Sequence, residues 1–213
     1  MKLTLHSAWR SSAAYRVRIG LNLKGLAYDI VPVNLVASQH LEPAYAALNP
    51  QRLLPTLEVG SRTLTQSLAI LEWLDETAPE PRLLPADPFD RAVVRSMAEI
   101  VACDIHPVNN LRILRALTGL GVDEPSRDAW IQRWIIDGFE ALELLIAQHG
   151  KGFAFGDTPG LADCCLLPQV YNAERFKTDL TPFPGIRAVA ARCAEHPAFA
   201  AAHPNTQPDA IHA

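Results

Sequence analysis

Four prolines, Pro79, Pro81, Pro85 and Pro88, crowd the stretch 79–88 and divide the chain between two hydrophobic rhythms. No helix or central strand runs through such a stretch, so it predicts a linker over 81–88. Before it, residues 2–6 alternate weakly and predict a short strand. Residues 15–23 then set Val17, Ile19, Leu21 and Leu23 among Arg16, Arg18 and Lys24, which predicts a helix that Gly25 ends. Residues 28–33 are β-branched and predict a second, buried strand, making that helix the crossover of a βαβ unit. Gly60-Ser61 between 56–59 and 62–64 predicts a tight hairpin closing the same sheet. From Ser67, the apolar residues Leu68, Ile70, Leu71 and Leu74 mark one more helical stripe. After the prolines only the helical period survives, over 89–117, 126–149, 161–172 and 185–193. The expected class is therefore α/β plus all-α: a domain over 1–80 and an all-helical domain over 89–213, with a loosely held tail after His203.

At 213 residues and 49% hydrophobic, such a chain can bury its core without metals or disulfides. Its cysteines, Cys103, Cys164, Cys165 and Cys193, have neither zinc-site spacing nor a disulfide framework, which fits a reducing cytoplasm. Residues 1–6 lead into no long apolar run, and no segment approaches membrane-spanning length, so an uncleaved protein without a membrane partner is expected. The net charge of −4 with mixed signs offers no basic stripe, which argues against nucleic acid. An anionic substrate has to be met by local arginines.

Three short constellations carry chemistry. Ser11 and Ser12 stand at the turn between the first strand and the first helix. Either serves as a plain N-cap, or their hydroxyls and the positive helix end hold an anion such as a thiolate. No cysteine stands in this turn, so a thiol nucleophile would have to arrive with a cofactor. Leu54-Pro55 opens a strand; if the bond is cis, the Leu54 backbone is free to pair with a peptide-like ligand, and if trans it is an ordinary strand start. Gln66-Ser67 precedes a helical stripe, where Ser67 either caps the helix or helps bind a carboxylate.

In this order, the three constellations resemble the thioredoxin-like domain of glutathione transferases, in which a cis-proline loop and a Gln-Ser helix start hold the tripeptide. The resemblance narrows to the zeta class. It rests on Arg10-Ser11-Ser12 with Arg16-Val17-Arg18-Ile19, on Leu48-Asn49-Pro50 and on Gln66-Ser67-Leu68-Ala69-Ile70. Asp104-Ile105-His106-Pro107-Val108-Asn109-Asn110-Leu111, Ala162-Asp163-Cys164-Cys165-Leu166 and the run 168–176 complete it. The chain departs from the class at Ala13, which replaces the usual third-place cysteine, so glutathione must supply the only thiol. It departs again at Gly160, a cap only a few tenths of a kcal/mol poorer than serine.

Zeta-class members include maleylacetoacetate isomerases and the related maleylpyruvate isomerases, so the resemblance implies glutathione as cofactor and a small maleyl substrate. Ser11 would hold the thiolate, with Ser12 in support. Arg10 and Arg175 would clamp the substrate and stabilise charge developing on its conjugated carboxylate, although each is also readable as a solvated surface residue. Leu54, Pro55, Gln66 and Ser67 would bind glutathione. His106, Asn109 and Asn110 would line the cleft, with Asn110 and Arg112 reaching the substrate. No metal is expected, because Asp104 and His106 stand two apart, off a shared helix face. Trp130, Trp134, Phe139 and the Cys164-Cys165 pair read as core. Leu111 rather than arginine leans towards maleylacetoacetate. A transferase conjugating small halogenated acids, and a non-catalytic thiol-binding protein, are the rival expectations; a homodimer is implied by the family.

Overall fold

The computed structural model describes residues 2–211. Its chain order opens with β1 (Leu3–Ser7), α1 (Ser12–Leu23), β2 (Asp29–Pro32), α2 (Pro43–Leu48), β3 (Thr56–Val59), β4 (Arg62–Thr65) and α3 (Ser67–Thr77). The remaining helices are α4 (Pro88–Glu99), α5 (Leu111–Gly119), α6 (Glu124–His149), α7 (Leu161–Arg175), α8 (Pro184–Glu195) and α9 (Pro197–Ala202). Two compact units result. One runs through Leu84 and resumes at Glu195; the other is Pro85–Ala194.

The first unit holds a four-stranded sheet in the order β2-β1-β3-β4. β1 pairs parallel with β2 across α1 and antiparallel with β3, and β3 turns into β4 at Gly60, whose φ of +62° suits a tight hairpin. α1 begins at Ser12, earlier than its apolar period suggests, because Ser11 caps it. α1 packs on α3 so closely that a Cβ at Gly20 would collide with the Leu71 side chain. Contrary to expectation, β2 is not buried. It lies at the sheet edge with Val31 39% exposed, and Pro32, which has no N–H to donate, is tolerable only there.

Both ends of the first unit depart from the expected boundaries. Its first stretch extends past residue 80 because buried Lys24 donates from Nζ to Asp75 Oδ1 (2.7 Å) and to Pro81 O (2.6 Å), while Leu83 N donates to the same Asp75 oxygen. The residues from 195 onward, expected in the helical domain, rejoin this unit. α9 packs on α1 with Phe199 and Ala202 fully buried, and Asn22 Nδ2 donates to Ala198 O at 2.9 Å. Nor are residues 204–210 of the tail after His203 loosely held, while residues 212–213 lie outside the described residues. They form a short 3-10 turn (Pro204–Thr206) at the start of 204–210, and the Gln207 amide, only 8% exposed, donates to the carbonyls of Ala201 and His203.

The second unit is helical. The expected single helix over 89–117 is broken: α4 passes into a π-helical stretch (Ile100–Ile105) and a 3-10 turn (Pro107–Asn109) before α5. Pro107 has no N–H to continue the ladder, and Asn110 starts afresh by accepting from Arg112 N. α6 buries one stripe, Ile131, Ile135, Phe139, Leu142 and Ile146, at helical spacing. Trp130 and Trp134 lie beside that stripe rather than in it, so Trp134 is 37% exposed and only Phe139 of the three aromatics is core. α7 continues to Arg175 with Pro168 inside it, and Cys164 and Cys165 are fully buried. Among the described residues no helix is long and apolar enough to cross a membrane.

Candidate functional site

Ser11 is the N-cap of α1, and its Oγ accepts from Ala14 N at 3.3 Å. Ser12 begins the helix and is buried, leaving Ser11 as the hydroxyl nearer solvent. The first turn of α1 contains no acidic residue, so the helix places no negative charge of its own at its positive start. Arg10 precedes this turn, exposed, with its guanidinium carbon 4.5 Å above the centre of the Trp9 ring, a cation–π stack.

The second element of the site is the loop before β3. Leu54–Pro55 is cis. Leu53 O, just ahead of it, accepts from both Tyr45 Oη and Asn49 Nδ2 at 2.7 Å, and both groups also reach Thr56 Oγ1 on the far side of the proline. Burial outweighs those bonds and raises the Tyr45 phenol above its ordinary value, so it stays a neutral donor. Asn49 continues the chain by accepting from Gln51 N at 3.0 Å, and Gln51 Oε1 accepts from Gln66 Nε2 at 2.7 Å. The cis-proline loop and the start of α3 are thereby tied together.

Gln66 lies at φ +69° and gives α3 no side-chain cap, so the amides of the first turn are not satisfied from that side. Ser67, 5% exposed, accepts at Oγ from Arg16 Nη1 (3.2 Å), which leaves its own proton free to be donated. Arg16, only 2% exposed, thus joins α1 to α3 below the site.

Arg18, fully buried, holds the turn from beneath. Its Nη1 donates to Ser7 Oγ (2.9 Å) and Ala8 O (3.4 Å), its Nη2 to Trp9 O (3.1 Å) and its Nε to Ala202 O (3.0 Å). The first unit therefore brings together Arg10, Ser11, Ser12, Leu54, Pro55, Gln66 and Ser67. The sequence reading did not assign roles to Arg16, Arg18, Tyr45, Asn49, Gln51 or Thr56, which build the scaffold under them. Asn49 and the two arginines stood in the recognised motifs, but nothing local marks their partners.

His106, Asn109, Asn110, Arg112 and Arg175 belong to the second unit. His106 closes the π-helical stretch. Asn109 donates weakly from Nδ2 to Ile131 O (3.4 Å), and its buried Oδ1 has no partner. Asn110 caps α5 with its Oδ1, so only its Nδ2 remains for a ligand. Arg112 is exposed, and Arg175 is exposed near the rings of Phe176 (5.4 Å) and Tyr171 (6.0 Å). Among the described residues no group of three His, Cys, Asp or Glu could hold a metal ion. None of the four cysteines is in a disulfide, and all lie in this unit, far along the chain from Ser11.

Comparison with known proteins matches both parts of the chain to one family. The glutathione S-transferase N-terminal domain family matches residues 10–77, and its C-terminal domain family matches residues 128–201. The maleylacetoacetate isomerase of Pseudomonas aeruginosa is 49% identical over 97% of this chain and 98% of its own length. A solved maleylpyruvate isomerase, described as a bacterial zeta-class glutathione S-transferase, is 52% identical and superposes with a TM-score of 0.96 over 98% of this chain and all of that one. The maleylacetoacetate isomerase of Anaeromyxobacter dehalogenans, solved with glutathione in its active site, is 46% identical with a TM-score of 0.90, covering 99% and 98% of the two chains. A full-length likeness at this level, with both halves matched by their family, means that this chain belongs to the zeta class of the glutathione S-transferase family.

Proposed function

We propose that this protein is a glutathione-dependent cis-trans isomerase of maleyl compounds, with maleylacetoacetate as substrate and fumarylacetoacetate as product. One observation carries the reading: Ser11 presents its hydroxyl at the positive start of α1, whose first turn holds neither an acidic residue nor a cysteine, so the site suits a thiolate that the chain itself does not supply. The residues fit glutathione. The uncapped start of α3 and the free Ser67 proton suit a carboxylate, and the half-buried Leu54 ahead of β3 suits a peptide. Both relatives' names, and the glutathione in the Anaeromyxobacter structure, support the same assignment.

Bound glutathione supplies the thiolate whose addition and elimination allow the substrate's double bond to turn. Ser11 holds that sulfur by donating its hydroxyl proton, and the α1 amides lower its proton affinity. Ser12 supports the turn from the buried side. Gln66 and Ser67 orient the tripeptide, with Arg16 fixing the Ser67 rotamer. Arg10 and Arg175 bind the substrate carboxylates, and they stabilise the transition state more than the ground state where negative charge grows on the conjugated carbonyl. His106, Asn109 and Asn110 add neutral contacts, of which the unpartnered Asn109 Oδ1 is the clearest open acceptor. Arg112 is the further substrate contact.

The 52% identity to a maleylpyruvate isomerase favours a second reading with that shorter substrate. The enzyme is further proposed to act as a homodimer in the cytoplasm, where thiols outside disulfides are stable. The test is an isomerase assay on both substrates, with and without glutathione, that follows total thiol. Turnover that needs glutathione but leaves its amount constant supports the isomerase, and the preferred substrate names it. Stoichiometric thiol loss would replace it with a conjugating transferase.

A further inference from the structure

We infer that the C-terminal segment positions the substrate-gripping side of the active turn, with the Asp209 carboxylate as the positioning group. Asp209 Oδ2 accepts from the backbone N–H of Trp9 at 2.9 Å, across 200 positions of sequence. The Trp9 peptide is held on both sides, because its carbonyl accepts from Arg18 Nη2 at 3.1 Å. Ser11 N closes the rest of the turn on Ala8 O at 3.0 Å. Fixing the Trp9 backbone fixes the point from which its ring swings and so limits where the ring can stand, and the Arg10 guanidinium stacks 4.5 Å above that ring. An exposed arginine otherwise samples many rotamers, and each must be given up when it grips a carboxylate.

Asp209 is itself well placed to act at a distance from its helix. Ala210 N closes a turn on Gln207 O at 3.0 Å, and buried Gln207 is tied to the carbonyls of Ala201 and His203. α9 is in turn anchored by Arg18 and Asn22. The segment is thus an ordered strut from α1 back to the turn. The charge matters less than the acceptor, since the donor is a neutral amide.

This inference rests on the proposed role of Arg10 as a substrate clamp, so its test has one arm independent of catalysis. In the full-length protein, Asp209→Ala should raise the KM for the maleyl substrate roughly five- to ten-fold, the effect of having to order the Arg10 side chain anew on binding, while the Kd for glutathione changes less than about two-fold. Asp209→Asn keeps an oxygen acceptor and should restore the KM. Amide exchange in the peptide containing Trp9 should quicken in Asp209→Ala and recover in Asp209→Asn. Unchanged exchange would overturn the tether. Faster exchange with an unchanged KM, or with KM and glutathione Kd rising together, would overturn the positioning role. If the parent protein turns over neither substrate, the isomerase reading falls while the exchange arm still decides the tether.

Discussion

Each unit of this protein has a fully buried ionisable group that hydrogen-bonds loop backbone, Arg18 in the first and Asp163 in the second, and the two are of opposite sign. In the first unit Arg18, fully buried, donates to four neutral oxygens that belong to the active turn, to β1 and to α9. In the second, Asp163, 1% exposed in the first turn of α7, accepts from Ala154 N at 2.8 Å and from Gly160 N at 2.9 Å, with the Cys193 thiol at 3.8 Å. A guanidinium cannot shed its charge in a protein, so the loop over Arg18 keeps its donors at every working pH. A carboxyl can be neutralised. Burial pushes Asp163 up to about 6 even though its backbone hydrogen bonds pull the other way. The turn that carries Ser11 is therefore fastened from beneath by a group that does not titrate, and the start of α7 by one that does.

The largest break in this comparison is Arg18→Met, which keeps much of the stem and removes the donors. Four acceptors lose a charged partner in a site without solvent access, and a loss of about 3–5 kcal/mol in urea unfolding is expected, together with weaker glutathione binding because Ser11 loses its support. A loss below about 1 kcal/mol would mean that water replaces the guanidinium. Asp163→Ala comes next. It orphans two backbone N–H groups and should cost about 2–4 kcal/mol by the same measurement, with Asp163→Asn at roughly half that because one acceptor survives.

How much of this was legible in the sequence depends on how far away the partner sits. Ser11 and Gly60 could be read because an N-cap or a hairpin is written within a few residues of itself, whereas Ser67 marked the start of α3 but begins that helix rather than capping it. The proline cluster announced the change from sheet to helices for the same reason. Arg16 and Arg18, by contrast, look like the polar members of an amphipathic α1, yet both are buried. The surface they occupy is covered by α3 and by α9, and α9 returns from nearly the other end of the chain. No local period reports that return, which is also why the tail was expected to be loose and why Asp209 went unnoticed. The π-helical stretch at 100–105 has no compositional mark, so the helix expected over 89–117 ran through it. Asn49 stood in a recognised motif, but its work on either side of Pro55 depends on a fold that brings Leu53 and Thr56 to one amide.

The titratable half of the comparison can be sharpened by pH. The folded pKa of Asp163, about 6, lies above its ordinary 3.8, so between these values the folded chain keeps a proton that the unfolded chain releases. Its contribution to stability is greatest below about pH 4 and declines as pH rises to about 6, at up to roughly 1.4 kcal/mol per pH unit, and is flat above. Unfolding free energies of the parent and Asp163→Asn, measured from pH 4.5 to 7.5, should show this as a difference that falls with pH and levels off near 6. A difference independent of pH would mean that Asp163 is ionised throughout and that its hydrogen bonds outweigh burial.

The smallest effect has the opposite sign and lies in the first unit. His203 Nδ1 accepts from Asn205 N at 3.2 Å, which requires the ring to be neutral at that nitrogen. Burial, and then the nearby positive charge of Arg18, hold its pKa below the ordinary 6.5. Its contribution is therefore complete above pH 6.5 and is lost as pH falls through the lower folded value. His203→Asn keeps an acceptor for Asn205 N and removes the titration, so parent and variant should match above pH 7 and separate on acidification, with the parent the less stable. The gap should stay below about 1 kcal/mol, the scale of one capping bond reduced by solvent at a partly exposed ring. Since Asp163 gains on acidification where His203 loses, following each unit by its own probe should show their stabilities drifting apart below pH 6. A common drift would mean that the two units unfold as one and that Arg18 fastens more than the turn above it.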